Sequence, residues 1–344
     1  MSADEAPDDR LRERAKRSRL KSWLLFEADR LLVAVLVSTA VFVVLVATGY
    51  LYPGAREAIG GGDSVDTLFQ GFLTATITGV TLVVTLNQLV LSQEFGAVGD
   101  QRERMEEAMQ FREDVADAIE APVSPVRPSQ FLRALVQVAG ERASEFRDAV
   151  PSDVDDDVAE EVETLTGSLT ENAERVSGGL DDARFGRFEV ILSALDFNYS
   201  WKIFTARRLN ERHGDSLTAE STEALERLIE VLLFFGPARE HFKTLYFQWD
   251  LIVLSRRILA ASLPALLVST GMILFFDAGA YGVAVFDVDT LVLVVSAAAT
   301  VAVVPFVILL AYVMRIATVT RHTLSIGPFI LRETDEVSEV EWDR

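Results

Sequence analysis

The 344-residue chain is half hydrophobic, with a mean hydropathy of +0.25, yet 24% of its residues are charged and its formal charge is −20. Apolar and charged residues must therefore be segregated along the chain, which points to a membrane class carrying a soluble part. Excess carboxylate repels nucleic acid, whose binding rests on Lys and Arg at phosphates, and the absence of cysteine removes disulfides, thiolate metal sites and cysteine nucleophiles.

Residues 1–30 form a basic amphipathic segment in which Arg10, Arg12, Arg14, Lys16, Arg17, Arg19 and Lys21 crowd together ahead of Trp23. Such a segment is expected to lie on anionic headgroups at the cytoplasmic surface, with Trp23 as an interfacial anchor. The first apolar run starts only near residue 31, too late for a cleavable signal peptide. Residues 31–92 read as a first transmembrane hairpin. Its first span, 31–52, carries no charge, and at 1.5 Å per residue it reaches about 33 Å, enough for a hydrocarbon core of about 30 Å. A Pro/Gly-rich connection, PGAREAIGGGDSVD, leads to the second span at 67–92, uncharged but polar.

Residues 93–257 read as an acidic, wholly helical domain, with apolar residues returning every three or four positions. Helices are expected near 94–120, 129–149, 157–177, 182–213 and 219–257. The predicted breaks are APVSPVRP, PSDVDDD, Gly178-Gly179 and His213-Gly214-Asp215, with Thr218 as an N-cap and Pro237 as an interruption. The second span is open to continuing beyond Ser92 as a long helix. Phe197, Tyr199, Trp201 and Phe204 are expected in the domain core. A second hairpin follows at 258–314, with spans at 258–276 and about 290–314, each holding a proline (Pro264, Pro305) that can kink it. A tail, 315–344, ends the chain.

Orientation follows from the cations. Both hairpin loops are nearly free of Lys and Arg, whereas the start of the first span and the opposite ends of the third and fourth are Arg-rich, Arg256 and Arg257 included. Both termini and the helical domain are thus expected in the cytoplasm of a multi-pass cell-membrane protein, with the basic groups Arg10 to Lys21, Arg256 and Arg257 at the membrane surface.

One span differs from the others. Thr67, Gln70, Thr74, Thr78, Thr81, Thr85, Gln88 and Ser92 recur at steps of three and four, so they form a stripe along one face of the second helix, with Asn87 and Gln93 beside it. Polar groups facing lipid cost free energy. The stripe from Gln70 to Ser92 therefore reads either as a packing seam, which small residues such as Gly79 favour, or as the lining of an aqueous pathway among copies of the chain. The spans hold no Asp, Glu, Lys, Arg or His, which disfavours ion-coupled transport but not a passive pore.

Catalytic constellations are missing from the sequence: there is no phosphate loop, no HExxH and no GxSxG, and His213, His241 and His322 form no ligand pair at helical spacing. The chain is therefore read as a non-enzyme without cofactor or metal. Its expected partners are the lipid bilayer, further copies of itself and a cytoplasmic protein, and nucleic acid is excluded.

Three resemblances extend this reading. Only Lys16, Lys21, Lys202 and Lys243 are lysines, and the acidic, Arg-dominated composition resembles that of proteins from halophilic archaea. The phrases TLNQLVLSQEFG (85–96) and KTLYFQWDLIVLSRRIL (243–259) resemble uncharacterised haloarchaeal four-helix membrane proteins. Two helical hairpins around a helical cytoplasmic insert also look like the topology of bestrophin-type anion channels, in which the second helix lines a pentameric pore. No motif of that family is matched, so no pore residue is carried over. The expectation is an all-α polytopic protein, with four transmembrane helices as two hairpins flanking a helical cytoplasmic domain. Its expected role is a passive ion channel lined by the second helix; the alternative is a non-conducting scaffold or sensor that binds a protein partner.

Overall fold

The computed structural model describes residues 28–181, 188–285 and 287–323. Among the described residues the protein is all-α and 85% helical, with four helices long and apolar enough to cross a membrane. In chain order the helices are α1 (Arg30–Leu51), α2 (Ala55–Gly60), α3 (Ser64–Glu94), α4 (Val98–Ala118), α5 (Pro128–Ala149), α6 (Asp156–Asp181), α7 (Phe188–Leu195), α8 (Tyr199–His213), α9 (Ala219–Phe275) and α10 (Thr290–Thr323). The described strands are two short antiparallel ones, β1 (Ala284–Val285) and β2 (Val288–Asp289), joined by a turn in which Asp287 takes φ 62°.

The chain divides into two compact units, one built on Gly96–Phe247 and the other on Trp23–Phe95 with Gln248–Ala317. In the helical unit, α5 presents Phe131, Leu132, Leu135, Ala139 and Phe146 to α6, whose Val162, Leu165 and Leu169 complete the layer. These positions follow the 3.6-residue period of an amphipathic helix. Phe197 and Tyr199 join the same core, the Phe197 ring packing edge-on to Phe235 at 4.8 Å, but Phe204 is exposed on the opposite face of α8. Thr218 caps α9 by accepting the Ser221 N–H at 3.1 Å, and the Ser221 hydroxyl donates to the Ala149 carbonyl at the end of α5.

Two breakers act differently from the sequence reading, and the second span ends where the sequence left it open to continuing. Helix α6 runs through Gly178-Gly179, because a side chain at Gly179 would meet Ser193 Oγ at 2.7 Å: the glycine serves a close approach of α7 rather than a stop. Helix α9 continues over 57 residues through Pro237, where the sequence predicts an interruption, so that proline forgoes the bond to the carbonyl four residues back without ending the helix. The second span stops at Glu94, and a short break at Phe95–Ala97 separates it from α4.

In the apolar unit, Asp29 caps α1 by accepting the Leu31 N–H at 2.7 Å. Ala34 of α1, Val83 of α3, Leu254 and Ile258 of α9, and Val307, Ile308 and Tyr312 of α10 form one cluster. Nearer the Leu51 end of α1, a second cluster joins Val65 and Phe69 of α3 to Val295, Ala299 and Ala302 of α10. Helix α10 is the most enclosed of the four apolar helices, 56% of its apolar stretch being buried, and α1 is the least, at 6%.

Candidate functional site on the polar helix

Helix α3 has two unlike faces. Val65, Phe69, Thr76 and Val83 are buried against the rest of the unit, the last three spaced by seven residues. Gln70, Thr74, Thr78, Thr81, Thr85, Gln88 and Ser92 are all exposed, so within one chain neither α1, α9 nor α10 covers the stripe. Gly79 lies off it, with the Phe306 ring 3.6 Å from where a side chain would start.

Four of the five stripe hydroxyls from Gln70 to Ser92 are satisfied locally. Thr78 donates to the Thr74 carbonyl at 2.9 Å, Thr81 to Ile77 at 3.0 Å, Thr85 to Thr81 at 3.0 Å and Ser92 to Leu89 at 2.7 Å. A hydroxyl has one proton to place and the helix accepts it. A primary amide has two N–H donors and a carbonyl, and no such local bond satisfies all of them. The demand for an outside partner, water or protein, therefore falls chiefly on Gln70 and Gln88. Asn87 is turned the other way and accepts from Ser255 of α9 at 2.8 Å, pinning α3 to the bundle. The side chain of Gln93 lies outside the described residues.

A second constellation stands at the Arg30 end of the same unit. The Arg30 guanidinium lies 3.0 Å from the Asp250 carboxylate, which is only 1% exposed, and stacks over the Tyr312 ring at 4.7 Å. Arg257 donates to the Tyr312 hydroxyl at 2.6 Å, and the buried Arg315 donates to the Ala28 carbonyl. Helices α1, α9 and α10 thus meet on one buried ionic cluster around a tyrosine. Removing one partner from such a pair typically costs about 3–5 kcal/mol, because the other charge stays buried. In the sequence, Asp250 stands eight residues ahead of Ile258 with nothing to mark it, and its partner Arg30 lies 220 positions away.

The sequence-predicted surface cations fall into three groups. Arg10, Arg12, Arg14, Lys16, Arg17, Arg19 and Lys21 lie outside the described residues. Arg256 is exposed, whereas its neighbour Arg257 is half-buried and turned to Tyr312, as the 100° step between adjacent helical residues requires. At the loops, Arg56 donates to the Asp289 carboxylate at 2.7 Å and to the Tyr281 carbonyl, so Asp289 is already neutralised. The Leu291 N–H and then Arg56 hold that carboxyl below its usual range.

Helix length and composition define the chain as a multi-pass membrane protein whose apolar unit carries one polar helix. It belongs to a family of unknown function (DUF7972), which it matches over residues 1–344. No curated protein and no solved structure matches it.

Proposed function

We propose that the protein is an oligomeric cell-membrane protein in which copies of α3 turn their polar faces toward one another around an aqueous path, providing a passive ion conductance. Both termini and the helical unit lie in the cytoplasm in this reading, as the Arg-rich span ends favour, and the chain has no enzymatic role and binds no nucleic acid. The exposure of all seven stripe residues on the single-chain bundle carries the proposal. A face holding Gln70 and Gln88 is costly against acyl chains and inexpensive against water or another polar helix.

Flux of a monovalent ion from liposomes holding the purified protein tests it. Thr78→Val or Gln88→Leu is expected to change the rate by about fivefold, the equivalent of about 1 kcal/mol of lost ion stabilisation. A folded oligomer that passes no ion overturns the proposal.

The exposed start of α4 favours a second reading. Every residue from 98 to 110 is exposed, Val98, Met105 and Met109 among them. A scaffold or sensor that docks a protein partner on this helix would use these side chains. Retention of a specific partner by the full chain, lost on Met105→Glu, distinguishes it from a conductance.

A further inference from the structure

The buried hydroxyls of the apolar unit behave differently from those of the exposed stripe. Helix α9 carries Ser255, Ser262 and Ser269 at intervals of seven, and all three are at least 95% buried. The Ser255 hydroxyl lies 2.8 Å from both the Leu251 carbonyl and Asn87 Oδ1, either of which can accept its one proton. The Ser262 and Ser269 hydroxyls, and that of Thr76 on the buried face of α3, have no hydrogen-bond partner among the described residues. The local bond to the preceding helical turn, which Thr78, Thr81 and Thr85 all make, is not made by these three. A buried polar group that forgoes an available local bond loses roughly 1–3 kcal/mol unless something else supplies the partner.

Thr76 and Ser262 open onto the same small cavity. Gly79, Ile258, Pro305 and Phe306 wall it, and its size suits a single water molecule. Thr76 is 1% exposed and Ser262 3%, so solvent outside the bundle does not reach either hydroxyl. A site with two or more unsatisfied polar groups and room for one water is where proteins hold structural water, whereas purely apolar cavities stay dry.

We propose that this cavity is a binding site for one ordered water that bridges the Thr76 and Ser262 hydroxyls, tying α3 to α9 beside the proline of α10. The bridge is internal to one chain and independent of any pathway between copies. It makes the inward face of α3 a hydrated contact, where composition indicates an ordinary apolar one.

Thr76→Val, Ser262→Ala and the double variant of the full chain in lipid nanodiscs, read by thermal unfolding midpoint, test the proposal. If a water bridges the two hydroxyls, each single change lowers the midpoint by about 2–4 °C and the double change lowers it no further than the larger single one. If the hydroxyls are merely orphaned, each apolar replacement raises the midpoint and the two gains add, which overturns the proposal, as do two losses that add. A midpoint of the unsubstituted protein that shifts when sodium replaces potassium at constant ionic strength assigns the cavity to a cation and overturns the water. As a measurement independent of variants, an experimental density map is expected to show one peak within hydrogen-bond reach of Thr76 Oγ1 and Ser262 Oγ. A map without that peak is decisive against the bridge.

Discussion

Glu120 ends α4 in the left-handed region, with φ 52°, where glycine is the usual occupant. The Ala121 N–H reaches back to the Ala116 carbonyl to close the helix end, and the Glu120 carboxylate accepts from Arg142 of α5. That bond and the Arg142 charge hold the Glu120 carboxyl below its ordinary value. Because the folded value is the lower one, the pair's stabilisation is fully present above the unfolded-state pKa, about 4.3, and fades as pH falls through the folded value. Glu120→Gln is therefore expected to flatten part of the loss of stability as pH falls below about 5. Denaturant midpoints across that range measure it, and identical slopes in both proteins would remove Glu120 from the account.

At the level of the element, α3 and α9 show what periodicity conveys and what it omits. The steps of three and four from Gln70 to Ser92 define a stripe on any α-helix, because each residue turns the chain by 100°. The same arithmetic places Ser255, Ser262 and Ser269 on one face of α9, but among so many apolar neighbours the serines carried no signal until their burial was seen. The chain's lack of cysteine gives a direct assay of the stripe. Single cysteines at 74, 78, 81 and 85 in membrane-embedded protein are expected to react with a water-soluble thiol reagent, while one at 69 or 83, on the buried face, is not. Protection of all four stripe positions would favour a dry seam between copies over an aqueous path. Pro237 teaches the converse lesson: a breaker read locally is tolerated when tertiary packing holds the helix on both sides of it.

For the whole molecule, the open question is what covers the exposed polar face of α3. The chain's mass is 38.0 kDa, so scattering mass of the protein in a mild detergent, corrected for bound detergent, is expected to be a multiple of that value. Gln70→Leu with Gln88→Leu is expected to shift the protein toward the single chain by removing the amide bonds across copies, each worth about 0.6–2 kcal/mol. A single-chain mass for the unsubstituted protein would rule out assembly through this face.

Four helices of membrane length, the acidic helical insert between them and the polar stripe on the second span were all legible in the sequence. Each depends on local composition and on the 3.6-residue repeat, which need no knowledge of neighbours. Three features were not legible: the outward direction of the stripe, the Arg30, Asp250, Arg257 and Tyr312 cluster, and the unsatisfied pair Thr76 and Ser262. Each of these depends on which faces of α1, α3, α9 and α10 meet. Residues as far apart as Arg30 and Asp250 become partners only when their helices pack, so the tertiary structure alone decided that the apolar spans hold a charged cluster and a small cavity lined in part by Thr76 and Ser262 while leaving the polar face of α3 uncovered.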